Sequence, residues 1–441
     1  MNKNFRKSLM ATALAGVFSA GMNGAFGAAF GLSEQSGSGL GNSYAGAAAV
    51  AEDASTMYWN PAGMSLLENS QFAIAGNVIL LDATFSGTAN NPLALAPPLA
   101  GTGGNGGQAG DTGIVPNLYL MMPAGPKWSF GLGVNAPFAL KTEYDADWVG
   151  RFQGVKSEIT TVNIQPTVSY KLSDTVSVGA GVSYQMLEAE LTNAVVLGLG
   201  ASGRSTLEAD DDGWGWNIGA IFQMTDATRL GIAYRSEIDY NLSGNVTVTA
   251  DPTGAPVPAA SGAAAGDATL PDSLAFSIAH ATSDRLTLLA DATRTGWSSI
   301  NQITVVDPGT GTIRDILALD FDDAWRFSVG GNYMLNDRWT LKAGLAFDET
   351  PVKNAQSRTV RIPDNDRTWV SIGGKMKLGQ NGWLDLGYAH IFIKDADINH
   401  TKSQQAPGFT TPVPAPGTAT TVSGGYEGSV DVFSVQYTLD F

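Results

Sequence analysis

The chain ends with FSVQYTLDF (residues 433–441), in which apolar and polar side chains alternate. The apolar positions are Phe433, Val435, Tyr437, Leu439 and Phe441. Because successive side chains of a β-strand point to opposite faces, this pattern predicts a strand with one apolar and one polar face.

The same alternation recurs through the chain, for example in residues 128–138, 162–171 and 230–242. Such runs predict an all-β protein. Alternation alone leaves two architectures open, because an apolar sheet face meets another sheet in a soluble sandwich but lipid in a membrane barrel.

The connections between the runs are alternately short and long. The short turns are at residues 123–127, 173–175, 225–228, 282–285, 336–338 and 380–382. The long segments, predicted to be loops, are at residues 90–111, 141–156, 191–212, 245–269, 298–319, 350–367 and 399–424. This asymmetry is typical of outer-membrane barrels and predicts a closed, antiparallel, multi-pass transmembrane β-barrel of about 14 strands.

Tryptophans near predicted strand ends are expected to form an aromatic girdle at the membrane interface. They are Trp128, Trp214, Trp216, Trp325, Trp339, Trp369 and Trp383.

Composition excludes several classes of partner and site. The formal net charge of -16 argues against nucleic acid and anionic membrane surfaces as partners, because both are polyanions and would be repelled. Next to the outer-membrane lipid and lipopolysaccharide expected around a barrel, an acidic surface could instead attract divalent cations. The chain has no Cys, and its three His are scattered without metal-ligand spacing, so we expect no cofactor and no metal.

The N-terminus has the pattern of a signal peptide, with Lys3, Arg6 and Lys7 ahead of a short apolar run. Cleavage is predicted after Gly27. The domains expected are therefore a signal peptide (residues 1–27), an N-terminal hatch (28–69) and a transmembrane β-barrel (70–441).

The expected hatch is rich in small residues between 39 and 64. Its Ala run, residues 45–54, predicts a helix that Pro61 brings to an end. We interpret the segment as a plug inside the barrel; the alternative is a capped helix of a soluble domain.

Asn60, Pro61 and Ala62 resemble the Asn-Pro-Ala element in the hatch of the FadL family of outer-membrane transporters for hydrophobic compounds. The terminal Phe441 resembles the C-terminal signature of outer-membrane proteins. Further similarity to the family lies in residues 214–219, 234–237, 346–352 and 361–367. The resemblance implies a monomer, not an enzyme, that takes up long-chain fatty acids or other hydrophobic molecules passively into a pocket and releases them sideways through the barrel wall.

A break is expected in the third strand. Pro137 cannot donate to a strand ladder, so Asn135, Pro137 and Phe138 are predicted to bend this strand and open a lateral gap, as the family's kinked third strand does. The alternative is a proline at a strand end with no gap.

The segment after Leu191 has an apolar cluster, which commonly marks ligand contact. The alternative is that the cluster packs against the neighbouring loop.

Family members that transport fatty acids are expected to hold the carboxylate with a basic pair, and alignment with them puts Asn193 and Leu317 at those positions. Arg314 is the replacement cation that we consider first, with Arg204 and Arg151 as others; each is otherwise a solvated loop charge. The candidate substrate contacts are Phe30, Asn193, Val196, Leu197, Leu199, Arg314 and Leu317.

Two hatch carboxylates, Glu52 and Asp53, are expected to pair with wall arginines such as Arg235 or Arg326. The alternative is an acid pair on a helix surface.

The sequence therefore predicts passive uptake of long-chain fatty acids across the outer membrane. Three alternatives remain: uptake of neutral hydrocarbons such as monoaromatics or alkanes, a barrel lipase, and a non-specific porin with a wide open channel.

Overall fold

The computed structural model describes residues 29–90, 103–198, 201–403 and 419–441. The predicted signal peptide and Leu199 lie outside these ranges. No helix in the described ranges is long and apolar enough to cross a membrane.

The strands form one antiparallel sheet closed into a 14-stranded barrel. In several barrel strands the ladder is interrupted, so that β3 with β4, β8 with β9, β11 with β12, β13 with β14, β15 with β16 and β19 with β20 are two segments of one strand. The segments are β1 (Gln71–Asn90), β2 (Thr112–Ala124), β3 (Trp128–Asn135), β4 (Ala139–Glu143), β5 (Lys156–Lys171), β6 (Val176–Gly198), β7 (Ala201–Thr225), β8 (Thr228–Arg235), β9 (Ile238–Ala250), β10 (Ala255–Pro256), β11 (Gly262–Leu270), β12 (Ser273–Ala281), β13 (Leu286–Thr295), β14 (Gln302–Val306), β15 (Ile313–Ala318), β16 (Ala324–Met334), β17 (Trp339–Asp348), β18 (Arg367–Leu378), β19 (Gly382–Ile393), β20 (Ala396–Ser403) and β21 (Ala419–Asp440).

The barrel closes between its first and last strands. β1 pairs with β21 from Gln71 opposite Asp440 to Asn90 opposite Thr421. In β21 the apolar Phe433 is 48% exposed, whereas the polar Gln436 is fully buried. Apolar side chains outside and polar side chains inside are the arrangement of a barrel whose outer face meets lipid. The predicted all-β barrel is confirmed.

Four predicted long loops are wrong as loops. Residues 191–212 continue the β6–β7 ladder, residues 245–269 contain parts of β9 and β11, and residues 298–319 contain β14 and β15. The described residues of the segment 399–424 belong to β20 and β21. Backbone N–H and C=O groups need partners, and a continued ladder supplies them.

Four of the tryptophans predicted to form a girdle, Trp128, Trp214, Trp216 and Trp339, have exposed side chains. Trp369 is different, because it is fully buried and its ring lies 4.9 Å from the Arg326 guanidinium. The inward positions of β18 include Trp369, so this tryptophan belongs to the interior.

The N-terminal segment, residues 29–69, lies inside the barrel, since it contacts strands on opposite sides. Its short helices are the α-helices Ala47–Val50 and Thr56–Trp59 and the 3-10 helices Leu40–Asn42 and Pro61–Leu66; a further 3-10 helix, Trp297–Ser299, follows β13. The single helix predicted for the Ala run is wrong. Gly46 and Ala51 adopt left-handed backbone conformations that limit it to one turn.

Candidate substrate-binding site

The third barrel strand is broken where the sequence predicts it. β3 ends at Asn135 and β4 begins at Ala139. The N-terminal segment lies against this break, because Leu32 N donates to Pro137 O at 2.8 Å and Ala139 N donates to Phe30 O at 3.0 Å. Backbone groups released by the break are thus satisfied by a segment that is not part of the wall.

The break changes the pairing on one side of the strand. On the other side β3 and β4 both stay paired with β5. Towards β2, the described ladder stops at Leu118 opposite Val134. Asn135 accepts a hydrogen bond from Asn163 on β5, which fixes the start of the break.

An apolar cavity of about 90 Å³ lies beside Phe30 in the outer half of the barrel. Of the predicted contacts, Phe30 and Leu317 line it. Ser157 and Arg361 are the polar residues that border it, but they present only apolar atoms to the cavity. The remaining lining residues are Leu140, Ile159, Leu187, Ala189, Leu191, Leu207, Ala209, Leu242, Ala264, Ala265, Gly266, Ala268, Leu270, Ile300, Ile303, Val305, Leu319 and Ile362.

Arg361 is the cationic residue that borders this cavity. It is buried on the segment between β17 and β18, where Nη1 donates to Ser157 Oγ and Lys156 O at 2.9 Å and Nη2 donates to Thr192 O at 3.2 Å. Nε has no hydrogen-bond partner, and no carboxylate in the described ranges lies within ion-pair distance. Burial lowers the pKa of Arg361, which is the expected effect of a desolvated charge.

The other predicted contacts are elsewhere. Arg314 forms an ion pair with Asp307 at 2.5 Å. The Asn193 side chain donates to Ala194 O, and Val196 and Leu197 lie near the far end of β6. Arg151 donates to the carbonyls of Asp147 and Trp148, and Arg204 is opposite Ala194 in the β6–β7 ladder. The structure does not bring these residues to the apolar cavity.

A second cavity, of about 140 Å³, lies between the N-terminal segment and the inner face of the wall. Its lining is more polar and includes Arg235 and Arg326 together with Asp291 and Asp348. Pro137 and Phe138 also line it, so this cavity adjoins the strand break.

An aromatic cluster lies where the two cavities approach each other. Phe30 lines the apolar cavity, and its ring centroid is 4.9 Å from that of Trp297 and 6.0 Å from that of Phe138. Trp297 and Phe138 line the second cavity. Phe30 therefore contacts residues of both spaces.

Asn60 joins the N-terminal segment to the wall. Its Nδ2 donates to Ala48 O at 2.7 Å and to Ala220 O on β7 at 3.0 Å, while its Oδ1 accepts from Ala62 N at 3.0 Å. Pro61 is the first residue of the following 3-10 helix, where it needs no N–H partner. The Asn-Pro-Ala element is thus a cap and a wall contact at once.

The predicted arginine partners of Glu52 and Asp53 are wrong. Glu52 pairs with two lysines of the wall, Lys342 at 2.8 Å and Lys375 at 3.2 Å. Burial would raise the pKa of Glu52, but these two ammonium groups lower it. Asp53 accepts from Gln436 Nε2 at 2.9 Å. The sequence pattern identified the acids but not the inward-facing lysines.

The two arginines do contact the N-terminal segment, but through its carbonyl groups. Arg326 donates to Ser43 O and Arg235 donates to Tyr58 O, both at 2.9 Å. The short turns of the N-terminal segment leave carbonyl groups without partners inside a helix, and the two arginines donate hydrogen bonds to them.

Glu34 yields a test of pH dependence. Its side chain is fully buried and both carboxylate oxygens lack partners, so burial raises its pKa from 4.5 to about 7. The native state therefore holds a proton that the unfolded state loses between these values, and stability falls as pH rises through this window. We expect Glu34→Gln to raise the free energy of unfolding at pH 8 by up to about 3 kcal/mol.

The measurement is thermal unfolding in detergent at pH 5 and pH 8. The variant should gain little at pH 5 and most at pH 8. Parallel pH profiles for the variant and the original protein would show that Glu34 does not titrate in this range.

Comparison with known proteins decides the family. The model of the outer membrane protein transport protein family (OMPP1/FadL/TodX) matches residues 18–441. The chain belongs to this family. Outer membrane protein P1 of Haemophilus influenzae is 31% identical over 436 residues, covering 91% of this chain and 93% of that protein. The long-chain fatty acid transport protein of Escherichia coli K12 is 26% identical over 435 residues, covering 90% and 94%.

Solved structures agree with the fold of this FadL-family protein. A FadL homologue of Pseudomonas aeruginosa has a TM-score of 0.83 and 25% identity, covering 93% of this chain and 99% of that one. The Pseudomonas putida toluene transporter TodX has a TM-score of 0.67 at 18% identity, covering 94% and 100%, and supports the fold alone.

Membership has direct consequences for this FadL-family protein. It is an outer-membrane transporter of hydrophobic compounds and not an enzyme, so the lipase alternative is wrong. This chain is similar both to a protein named as a long-chain fatty acid transport protein and to one named as a toluene transporter.

Proposed function

We propose that this family member takes up long-chain fatty acids passively, as a monomer in outer-membrane lipid and lipopolysaccharide. In this proposal the substrate is captured near the β6 end that includes Val196 and Leu197, binds in the apolar cavity and leaves sideways at the break between β3 and β4. The observation that carries the proposal is Arg361, a buried guanidinium without an ion pair within the described residues, which borders a cavity that its apolar atoms help to line.

A fatty acid has two parts, a carboxylate and an alkyl chain, and each has a suitable partner here. An anion in an apolar cavity needs charge-assisted hydrogen bonds, and Arg361 Nε is buried without an acceptor. The surrounding Leu, Ile and Ala side chains suit an alkyl chain. A neutral hydrocarbon would leave the guanidinium uncompensated.

Lateral exit has independent support in the wall. The N-terminal segment contacts strands on several sides of the lumen. This favours a plugged barrel over the wide open channel of a porin. At the break, the wall lacks β2–β3 pairing beyond Val134 within the described residues, and the N-terminal segment and Trp297 cover Pro137 and Phe138 from inside. Movement of that short segment would connect the lumen with the membrane.

The test compares binding of a long-chain fatty acid with that of its uncharged alcohol, using purified protein folded in detergent. We expect Arg361→Gln to weaken acid binding about tenfold or more, because a charge-assisted bond is lost, and to change alcohol binding by less than about twofold. Arg314→Gln is the matched control, since Arg314 lies in the same outer region but pairs with Asp307.

Neutral hydrocarbons are the second candidate, favoured by one observation. Leu317, at a position where fatty-acid members are expected to carry a cation, lines the cavity with an apolar side chain. Equal binding of acid and alcohol by the original protein, unchanged in Arg361→Gln, would overturn the fatty-acid proposal in favour of this one.

A further inference from the structure

The second cavity has an arginine whose charge is not balanced by a nearby acid. Arg235, at the end of β8, donates to Gln165 Oε1 at 3.2 Å, to Ser183 Oγ at 3.4 Å and to Tyr58 O at 2.9 Å. Its guanidinium lies 4.3 Å from the centroid of the Tyr58 ring. All of these partners are neutral, and within the described part of the chain no carboxylate reaches ion-pair distance.

Arg326 lines the same cavity in a different electrostatic setting. In the ladder it is directly opposite Asp348, which lines the cavity as well. Asp291, a further lining residue, is on the strand next to Arg326. The acids of the cavity thus lie around Arg326, and Arg235 is the cation left for an incoming anion.

Arg235 lies on the route out of the apolar cavity. Phe30, Trp297 and Phe138 form the contact between the two spaces, and Phe138 with Pro137 belongs to the strand break. A fatty acid that passes Phe30 enters a space with Arg235 on one side, the break on another and the aromatic rings of Tyr58 and Trp59 along the N-terminal segment.

We propose that Arg235 is a second carboxylate-binding residue, which receives the substrate's carboxylate between Arg361 and the strand break. Without a cation here, the carboxylate would cross a largely desolvated space unpaired, and this raises the barrier to passage. Arg235 lowers that barrier for acids and has no such effect on uncharged chains. This inference rests on the proposed fatty-acid transport.

The experiment measures transport into proteoliposomes that contain the full protein, for a long-chain fatty acid and its uncharged alcohol. Arg235→Gln is expected to slow acid flux about tenfold, because a charge-assisted interaction in the transition state is lost, while alcohol flux stays within about twofold. Equilibrium binding of the acid stays near its original value, since Arg361 is unchanged.

Arg229→Gln is the matched control. Arg229 is on the same strand and donates to the carbonyls of Ala49 and Val50 in the N-terminal segment, but it does not line the cavity. It should leave the acid-to-alcohol flux ratio unchanged.

The outcomes separate this inference from the proposed function. Equal slowing of acid and alcohol by Arg235→Gln, or the same flux ratio in both variants, would overturn the second site and leave a structural role in holding the segment. If the original protein neither binds nor moves the acid in preference to the alcohol, the proposed function itself fails.

Discussion

Lys342→Met is expected to lower the free energy of unfolding by about 3–5 kcal/mol, because it leaves buried carboxylates without their counterion. Lys342 is 4% exposed on the inner face of β17. Its Nζ donates to Glu52 at 2.8 Å, to Asp385 at 2.9 Å and to Ser38 O at 2.8 Å. One ammonium group therefore joins two parts of the N-terminal segment to the wall.

Loss of this cation affects its partners unequally. Glu52 keeps Lys375 at 3.2 Å, whereas Asp385 Oδ2 has no hydrogen-bond partner even in the original protein. Asp385 is therefore the main source of the cost. The triple variant Lys342→Met, Glu52→Gln, Asp385→Asn removes all three charges and should recover part of the loss.

The measurement is denaturant unfolding of detergent-folded protein, with limited proteolysis to report release of the N-terminal segment. Lys353→Met is the control, since Lys353 pairs with Asp320 at an exposed position, where loss of an ion pair should change the free energy of unfolding far less. Similar losses for the two lysine variants would show that the buried network contributes no more than a surface pair.

The barrel was predictable because its physical causes act along a single strand. Lipid outside and a polar interior force alternation, which residues 433–441 display in full, and Pro137 has a local effect that no distant residue can cancel. The third-strand break and the turn positions follow from such local causes.

The candidate binding site was less predictable, because its residues meet only after barrel closure. Arg361 and Ser157 are contributed by distant segments, and the sequence around Arg361 contains Asp364 and Asp366, typical of a solvated loop. The pairing of Glu52 with Lys342 likewise depends on which wall residues face the same level of the lumen. Lys342 could have been found by searching for a lysine on the polar face of a strand, where it can pair with an acid of the N-terminal segment.

The single helix predicted from the Ala run was wrong for a similar reason. Helix propensity favours one continuous helix over residues 45–54, but a barrel lumen offers wall contacts in every direction. Short turns with left-handed residues at Gly46 and Ala51 let the backbone meet several strands, and these contacts override local propensity.

Gly231→Ala is expected to displace the N-terminal segment from the wall and raise ion conductance through the barrel. A Cβ at Gly231 would lie 2.0 Å from Ala48 O and 2.5 Å from Ala48 C, both backbone atoms that no rotamer change can move. Either the helix Ala47–Val50 or the wall at Gly231 must therefore shift, and we expect the short helix to move. Overpacking of this kind costs about 1–3 kcal/mol, which the segment can avoid by leaving its position.

Single-channel recording in planar bilayers is the measurement, with Gly76→Ala as the control because a Cβ there meets no atom within 4 Å. The original protein and Gly76→Ala should pass little current, whereas Gly231→Ala should show open-channel events. Silent recordings from a correctly folded Gly231→Ala protein would mean that the wall, not the segment, yields to the added methyl group. In that case the close contact between Gly231 and Ala48 would not be what keeps the lumen closed, and the plug would depend on its ionic and side-chain contacts, above all those of Lys342 and Asn60.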